Sequence, residues 1–448
     1  MSRAPALAAI LAALLAGGAA AQAPPKPQGG GELVDTVRAD TARSEAPGPR
    51  TLEPGVALGY RRTQLFGLDP FRLAIVPHWG LIVGVGARVD NNSVNLKDIG
   101  ALLLLGKHDS INAGTVVDAL GLVPRGEGLL GLAGGDGGVY LGTQWGGHLT
   151  LGFSAGAQGY GSFFVDDSAV ALLRDGNGGA QQTFPVGQTH GAALGTAEGG
   201  AHAMIRFGAV GDEAGWRLIV GAGARYLRPL YYARSGSAIG PASAIRLTGD
   251  SIAAAVRLTT EQAVDPPNVK GSGLVGDFLL RFELPEPGLA LEAMLVNVGT
   301  VKLQKVEQRL ATFNVSTTSF TVVKDSLDKS KFRVQDTTAV TLQMPQQLRL
   351  ALNAWVLPVL QIDAAYTTRV TGDFAAPAMF EMGATFRLLS WLPLRAGIVS
   401  AGDLGTGVTG GIAFETRALY LHVDGASLGG AFAQARGAGG RFEFGFFF

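Results

Sequence analysis

The chain has 448 residues, zero formal net charge, 16% charged residues, 66 glycines and no cysteine. Balanced charge supplies no basic field that would gather nucleic acid. The lack of cysteine excludes a disulfide framework, thiol catalysis and a lipoprotein acyl site, and glycine at about twice its usual frequency suits many turns and closely packed strands.

Residues 1–21 read as a secretory signal, with Arg3 at its positive end, an apolar core from Ala6 to Leu15 and a small-residue cleavage site at Ala19-Ala20-Ala21. A membrane anchor would need about twenty apolar residues, and the longest later apolar block, Ile99 to Leu105, is far shorter. Residues 22–50, opening Pro24-Pro25-Lys26-Pro27, read as a flexible periplasmic lead-in. From residue 51 to 448 the texture is that of short apolar strands punctuated by glycine. Phe71 to Pro77 and Leu81 to Val89 are the first strand candidates. Residues 95–135 then lose clean alternation. This stretch is predicted to be a small, partly helical insertion, either plugging a barrel mouth or lying on the surface with its own apolar cluster. Val139 to Trp145 and Leu149 to Ala157 predict a hairpin around Gly146-Gly147-His148. Asp167 or Ser168 is expected to cap a single short helix that Gly176 ends.

Downstream the alternation persists. Trp216, Leu218, Val220, Ala222, Ala224 and Tyr226 share one face, and Phe278, Leu280, Phe282 and Leu284 another, with Arg281 and Glu283 opposite. The same inversion places Arg349, Asp363, Arg369, Glu381, Arg387, Glu415, Arg417, His422 and Asp424 on the polar faces of successive strands. Parity is unclear upstream of Gly271, because Pro229 to Ala244 is irregular. The last residues carry Phe442, Phe444, Phe446 and Phe448 at period two, with Arg441, Glu443 and Gly445 between. Such a row suits a strand with one face in lipid. It also resembles the C-terminal signal by which Gram-negative outer-membrane barrels are recognised for insertion.

Turn lengths strengthen the barrel reading. Pro285 to Gly288, Val356 to Pro358, Ser390 to Pro393 and Arg417 to Leu419 are tight, while the connections near 301–343, 371–377, 401–407 and 425–439 are longer. Short periplasmic turns and long external loops are the bacterial pattern. Trp355 and Trp391, beside tight turns, are expected in an aromatic girdle. The strand candidates number about 14 to 16, within the even-numbered range of such barrels. The expectation carried forward is all-β, a monomeric transmembrane antiparallel barrel of about 14 strands.

These residues resemble the FadL-like outer-membrane barrels, and most closely a branch of uncharacterised barrels sharing a domain of unknown function. The matching features are Asp277-Phe278-Leu279-Leu280 ahead of Leu295-Val296-Asn297-Val298-Gly299, Met344-Pro345, Leu360 to Tyr366 with Asp363, Leu394-Arg395-Ala396-Gly397, and Val165 to Asn177. The resemblance spans most of residues 70–448. It implies an outer-membrane location and passage of long-chain fatty acids or other hydrophobic molecules.

Catalytic motifs are lacking: no G-x-S-x-G elbow, P-loop or dinucleotide fingerprint occurs. Six scattered histidines show no metal-ligand spacing. A His422–Asp424 pair completed by a serine is disfavoured, because i and i+2 on one strand seldom hydrogen-bond. The chain is therefore read as a non-enzyme without cofactor or metal. Its partners are outer-membrane lipid, the barrel-insertion machinery and a hydrophobic small-molecule ligand. The rival reading is a non-transporting barrel serving as a surface platform or secretion-system component.

Overall fold

A computed structural model describes residues 69–71, 79–95, 123, 125–175, 182–185, 188–208, 215–237, 244–248, 251–284, 288–317, 333–357, 359–370, 374–389, 391–416, 418–431 and 434–447. The signal segment, the lead-in, residues 96–122 of the expected insertion, Arg417 and Phe448 lie outside the described residues.

The strands in chain order are β1 (Trp79–Asn91), β2 (Leu129–Trp145), β3 (Leu149–Val165), β4 (Gln182–Pro185), β5 (His190–Gly208), β6 (Arg217–Ser237), β7 (Ala244–Thr248), β8 (Ser251–Ala263) and β9 (Gly271–Leu284). They continue as β10 (Leu289–Thr317), β11 (Arg333–Gln343), β12 (Gln347–Leu357), β13 (Leu360–Arg369), β14 (Ala376–Leu389), β15 (Leu392–Ser400), β16 (Thr406–Glu415), β17 (Leu419–Leu428) and β18 (Gly437–Phe447). Among the described residues one α-helix, α1 (Asp167–Asp175), interrupts them. Fourteen lanes close into an antiparallel barrel: β1, β2, β3, β5, β6, β9, β10 and then β12 through β18, which pairs back onto β1 with Val85 opposite Phe442. The short strands β4, β7, β8 and β11 prolong the lanes of β5, β6, β9 and β12 respectively.

The faces are inverted relative to a soluble sandwich. Phe442, Phe446, Phe278, Leu280, Val220, Leu350 and Ile412 are exposed, whereas the interleaved Arg441, Glu443, Asp277, Arg281, Arg225, Arg349 and Glu415 are buried. In water, such an outer surface would be a large apolar patch; in a bilayer it is the lipid-facing band of a transmembrane barrel. Ten residues separate outward Trp216 from outward Tyr226 on one strand. At about 3.4 Å per residue and ~40° tilt this spans about 26 Å, close to the ~25 Å apolar band of such barrels. Among the described residues no helix is long and apolar enough to cross a membrane, so the crossing is made by strands.

The tight turns share one rim. Trp79 pairs with Thr143 beside the β2–β3 turn, and Leu419, just after the β16–β17 turn, pairs with Phe446. Gly146 (φ 58°) and Gly147 (φ 74°) form the β2–β3 turn, taking a backbone hand that other residues adopt at a cost. Trp79, Trp145, Trp216 and Trp391 stand exposed along this rim, the amphipathic girdle of a membrane interface. Trp355 does not join them. It shares the inward parity of Asn353, and its ring lies beneath the Arg387 guanidinium at 5.8 Å, a cation–π arrangement.

Other expectations change in detail. Leu129 to Gly135 of the expected 95–135 insertion belong to barrel strand β2, a glycine-rich run whose missing side chains hide its alternation. The 301–343 stretch, expected as a loop, is strand for most of its described length, in β10 and β11. β10 alone has 29 residues and rises well beyond the membrane. β6 runs unbroken through Pro229, whose missing N–H falls at the register shift opposite Gly195/Thr196. Helix α1 is capped one residue earlier than expected: Asp166 Oδ1 accepts the Ser168 N–H at 3.1 Å.

Candidate functional site in the barrel interior

The interior wall near the tight-turn rim is a chain of ion pairs. Arg387 pairs with Glu415 at 2.6 Å, and Glu415 Oε1 meets His422 Nε2 at 2.7 Å. The His422 ring stacks on Tyr420 at 3.9 Å, the Tyr420 hydroxyl donates to Glu443 at 3.1 Å, and Arg441 links Glu443 (2.6 Å) to Asp136 (2.9 Å). Asp424 pairs with Arg395 at 3.3 Å and not with His422. A second run joins Glu283, Arg281, Glu292 and Arg349, with contacts of 2.6, 3.0 and 3.1 Å. Asp363 and Glu381 are buried on the same inner face. Arg369, at the far end of β13, lies over the Tyr160 ring at 5.6 Å. His422 and Arg281 show no exposure at all. Along these two runs the charges of the wall are therefore met by one another. Non-adjacent lanes touch across the interior: Arg88 Nη1 of β1 reaches Met379 Sδ of β14 at 3.2 Å.

The sequence reading missed the centre of this interior. Asn297 sits in β10 at φ 64°, where the register against β9 slips between Leu295 and Val298. That bulge turns the Asn297 side chain inward and reverses the parity of the strand: Met294 and Val296 face in before it, Val301 and Leu303 after it. The Asn297 N–H donates to Asp277 Oδ1 at 3.0 Å, and its Oδ1 accepts from Arg225 Nη2 at 2.7 Å. Its Nδ2 faces the Tyr160 hydroxyl at 3.0 Å and, at 3.2 Å each, Gln158 Oε1 and the Pro345 carbonyl. Arg225 grips Asp277 through two bonds of 2.7 Å and also pairs with Glu198, which accepts from Gln158 at 2.8 Å. Asparagine is well suited here, since it tolerates positive φ and offers both donor and acceptor. The lone Asn in Leu-Val-Asn-Val-Gly was the available signal.

On the other flank of Asn297 the wall is also interrupted. β11 ends at Gln343 and β12 begins at Gln347; between them the Met344 N–H reaches across to Gly299 O at 3.1 Å, and the Pro345 carbonyl faces Asn297 Nδ2 at 3.2 Å. Above this level β5, β6, β9 and β10 line the interior with apolar side chains. Leu194, Leu227, Tyr232, Val275, Val301, Leu303, Val306, Met344 and Phe374 form one buried cluster, and Val269, from the segment between β8 and β9, folds into it. Below it, Phe71 enters the interior and packs with Met204, Ile219, Leu279, Met294 and Val296, its ring edge-on to His202 at 5.6 Å. Phe71 belongs to the stretch ahead of β1. Among the described residues no group of His, Asp and Glu side chains could hold a metal ion.

A closed fourteen-lane barrel with a lipid-facing band, aromatic rim and polar interior defines an outer-membrane β-barrel protein. Similar solved structures include the toluene transporter TbuX of Ralstonia pickettii (TM-score 0.43, 13% identity, 86% of this chain and 94% of that chain). Others are the toluene transporter TodX of P. putida (0.43, 11%, 86% and 93%) and a FadL homologue of Pseudomonas aeruginosa (0.41, 12%, 84% and 91%). No protein-family model and no curated protein matches the chain. The fold assignment rests on the closed ladder itself.

Proposed function

We propose that this barrel passes apolar or amphipathic small molecules across the outer membrane, taking them in at the long-loop rim and releasing them sideways at Asn297. The observation that carries the reading is the continuity between the buried apolar cluster and the wall interruption, joined by Met344, which belongs to both. Apolar solutes gain by leaving water for such surroundings. The ladder beside Asn297 is held by side-chain bonds where an intact strand pair would use backbone ones, so parting it disturbs few backbone groups. A permanently filled platform barrel is the second reading, favoured by the cross-barrel contact of Arg88 with Met379. Mass spectrometry of small molecules retained by the detergent-purified protein tests the choice. Retained lipid or aromatic molecules, and binding of added hydrophobic probes, are expected. A barrel that retains nothing and takes up no probe is a platform.

A further inference from the structure

Where the lanes of β6, β9 and β10 leave the lipid-facing band at the long-loop side, four cations gather on the outer face. Arg228, Lys270, Lys302 and Lys305 are all exposed, and none forms an ion pair among the described residues. Their levels follow from register. Lys302 is the partner of Ser272, and Leu227 is the partner of Gly273, which sets Arg228 beside Ser272. The Gln304 N–H donates to the Lys270 carbonyl at 2.8 Å, and the Val264 N–H donates to the Lys305 carbonyl at 3.2 Å. The four cations thus occupy three adjoining lanes within a few residues of height. Directly below them on the same outward parity stand Tyr226 (57% exposed) and Leu274 (66%). The neighbouring acid Glu307 is taken by Arg309, and the one other carboxylate on the connecting segment is exposed Asp265. The cluster is local: the next lane places Ala197 opposite Arg228, and the lane after that Ala157. In a chain of zero net charge, such a concentration at one level of one wall is a specific surface.

We propose that this surface binds the phosphate-bearing headgroup of an outer-leaflet lipid, its acyl chains lying along Tyr226, Leu274 and Phe278 while its phosphates meet the four cations. Tight turns mark the periplasmic rim, so this boundary is the outer one. Cations placed just beyond an apolar band suit a ligand that is itself apolar below and anionic above. The same side chains would attract a free phosphate, but only a lipid also uses the exposed aromatic and aliphatic residues beneath.

The test is a titration of the detergent-purified full chain, read by native mass spectrometry. The probes are bisphosphorylated lipid A, the same lipid dephosphorylated, and phosphatidylcholine. Bisphosphorylated lipid A is expected to bind best, weakening by about five-fold for each charge removed. The Lys270→Gln/Lys302→Gln pair therefore loses about 25-fold, and adding Arg228→Gln loses more. Arg246→Gln, on β7 further out, leaves binding unchanged, and heat-shifted gel migration verifies that each variant is folded. Equal binding of the dephosphorylated lipid, or undiminished binding to the folded double variant, overturns the proposal. Displacement of the lipid by millimolar inorganic phosphate would identify a simple anion site and overturns it equally.

Discussion

Replacing Arg225 by methionine tests whether the interior is held by charge pairing or by volume. The guanidinium is 1% exposed and makes two bonds of 2.7 Å to Asp277, one of 2.7 Å to Asn297 and a close pair with Glu198. Methionine keeps most of the length but strands both carboxylates. Removing one member of a buried pair costs about 3–5 kcal/mol. Asp277 would still hold the Asn297 N–H at 3.0 Å, and Glu198 the Gln158 amide at 2.8 Å, so the lower end is expected. A loss of about 3 kcal/mol is roughly a hundredfold in the folding equilibrium. The assay is urea unfolding of the barrel in lipid vesicles, followed by tryptophan fluorescence and by heat-shifted gel migration. The triple variant Arg225→Met/Asp277→Leu/Glu198→Gln removes the stranded charges as well, and is expected to recover most of the loss, since apolar replacements of buried pairs are often neutral. If the single variant changed stability by under about 0.5 kcal/mol, or the triple variant remained as weak as the single one, the pairing argument would be wrong.

Other perturbations separate backbone from side chain and lipid from lumen. Asn297→Gly keeps the positive φ but drops the side-chain bonds, whereas Asn297→Ala adds strain; the alanine variant is expected to be less stable by about 1 kcal/mol in the same unfolding assay. Both substitutions are expected to speed release of a preloaded hydrophobic fluorophore from the barrel into vesicle lipid, and unchanged release would count against exit at this point. Phe442→Arg places a charge on the outer face between Val85 and Val423 and is expected to cost about 2–4 kcal/mol, against about 0–1 for Trp79→Arg at the rim. Similar costs at the two depths would mean that the outer face does not meet hydrocarbon. Tyr160→Phe removes the hydroxyl bonded to Gln158 at 2.6 Å and Asn297 at 3.0 Å, for an expected loss of about 1 kcal/mol by urea midpoint.

Much of the barrel was legible because its lipid-facing side obeys a simple rule. On β12, and on β6 from Leu218 to Tyr226, β9 from Phe278 to Leu284, β13 from Leu360 to Tyr366 and β18 from Phe442 to Phe446, every second residue is apolar, and those residues point outward. Turn lengths carried the vertical direction, and Trp391 fell at the rim where its neighbouring turn placed it. The rule fails where side chains are absent. β2 and β3 meet at Gly138 and Gly156; a Cβ on Gly138 would stand 2.9 Å from the Ala155 carbonyl, so the approach of the lanes needs glycine there and leaves no alternation to read. It fails again at bulges. Asn297 reverses the parity of β10, and no period-two template survives a two-for-one mismatch. Pairing inside the wall was the least legible of all. That His422 meets Glu415 across a strand pair, and that Asp424 goes to Arg395, depends on lateral distance and rotamer. Along the chain itself His422 and Asp424 are simply two apart.

The two levels of the interior also bear on where a solute could go. Straight descent would carry an apolar molecule through the layer of Arg281, Glu292, Arg387, Glu415, His422 and Arg441, each buried and paired. Opening that layer separates several charge pairs in surroundings of low polarity, at several kcal/mol apiece. Sideways passage at Asn297 separates neutral contacts, among them Nδ2 to the Pro345 carbonyl at 3.2 Å and the Met344 N–H to Gly299 O at 3.1 Å. Neutral hydrogen bonds contribute about 1 kcal/mol each, and the solute emerges among acyl chains that solvate it. On the proposed function, the ion-pair layer is then a floor that keeps polar solutes out of the periplasm and turns apolar ones toward the wall. A variant with this floor intact and the Asn297 contacts cut would release apolar molecules while conducting no ions.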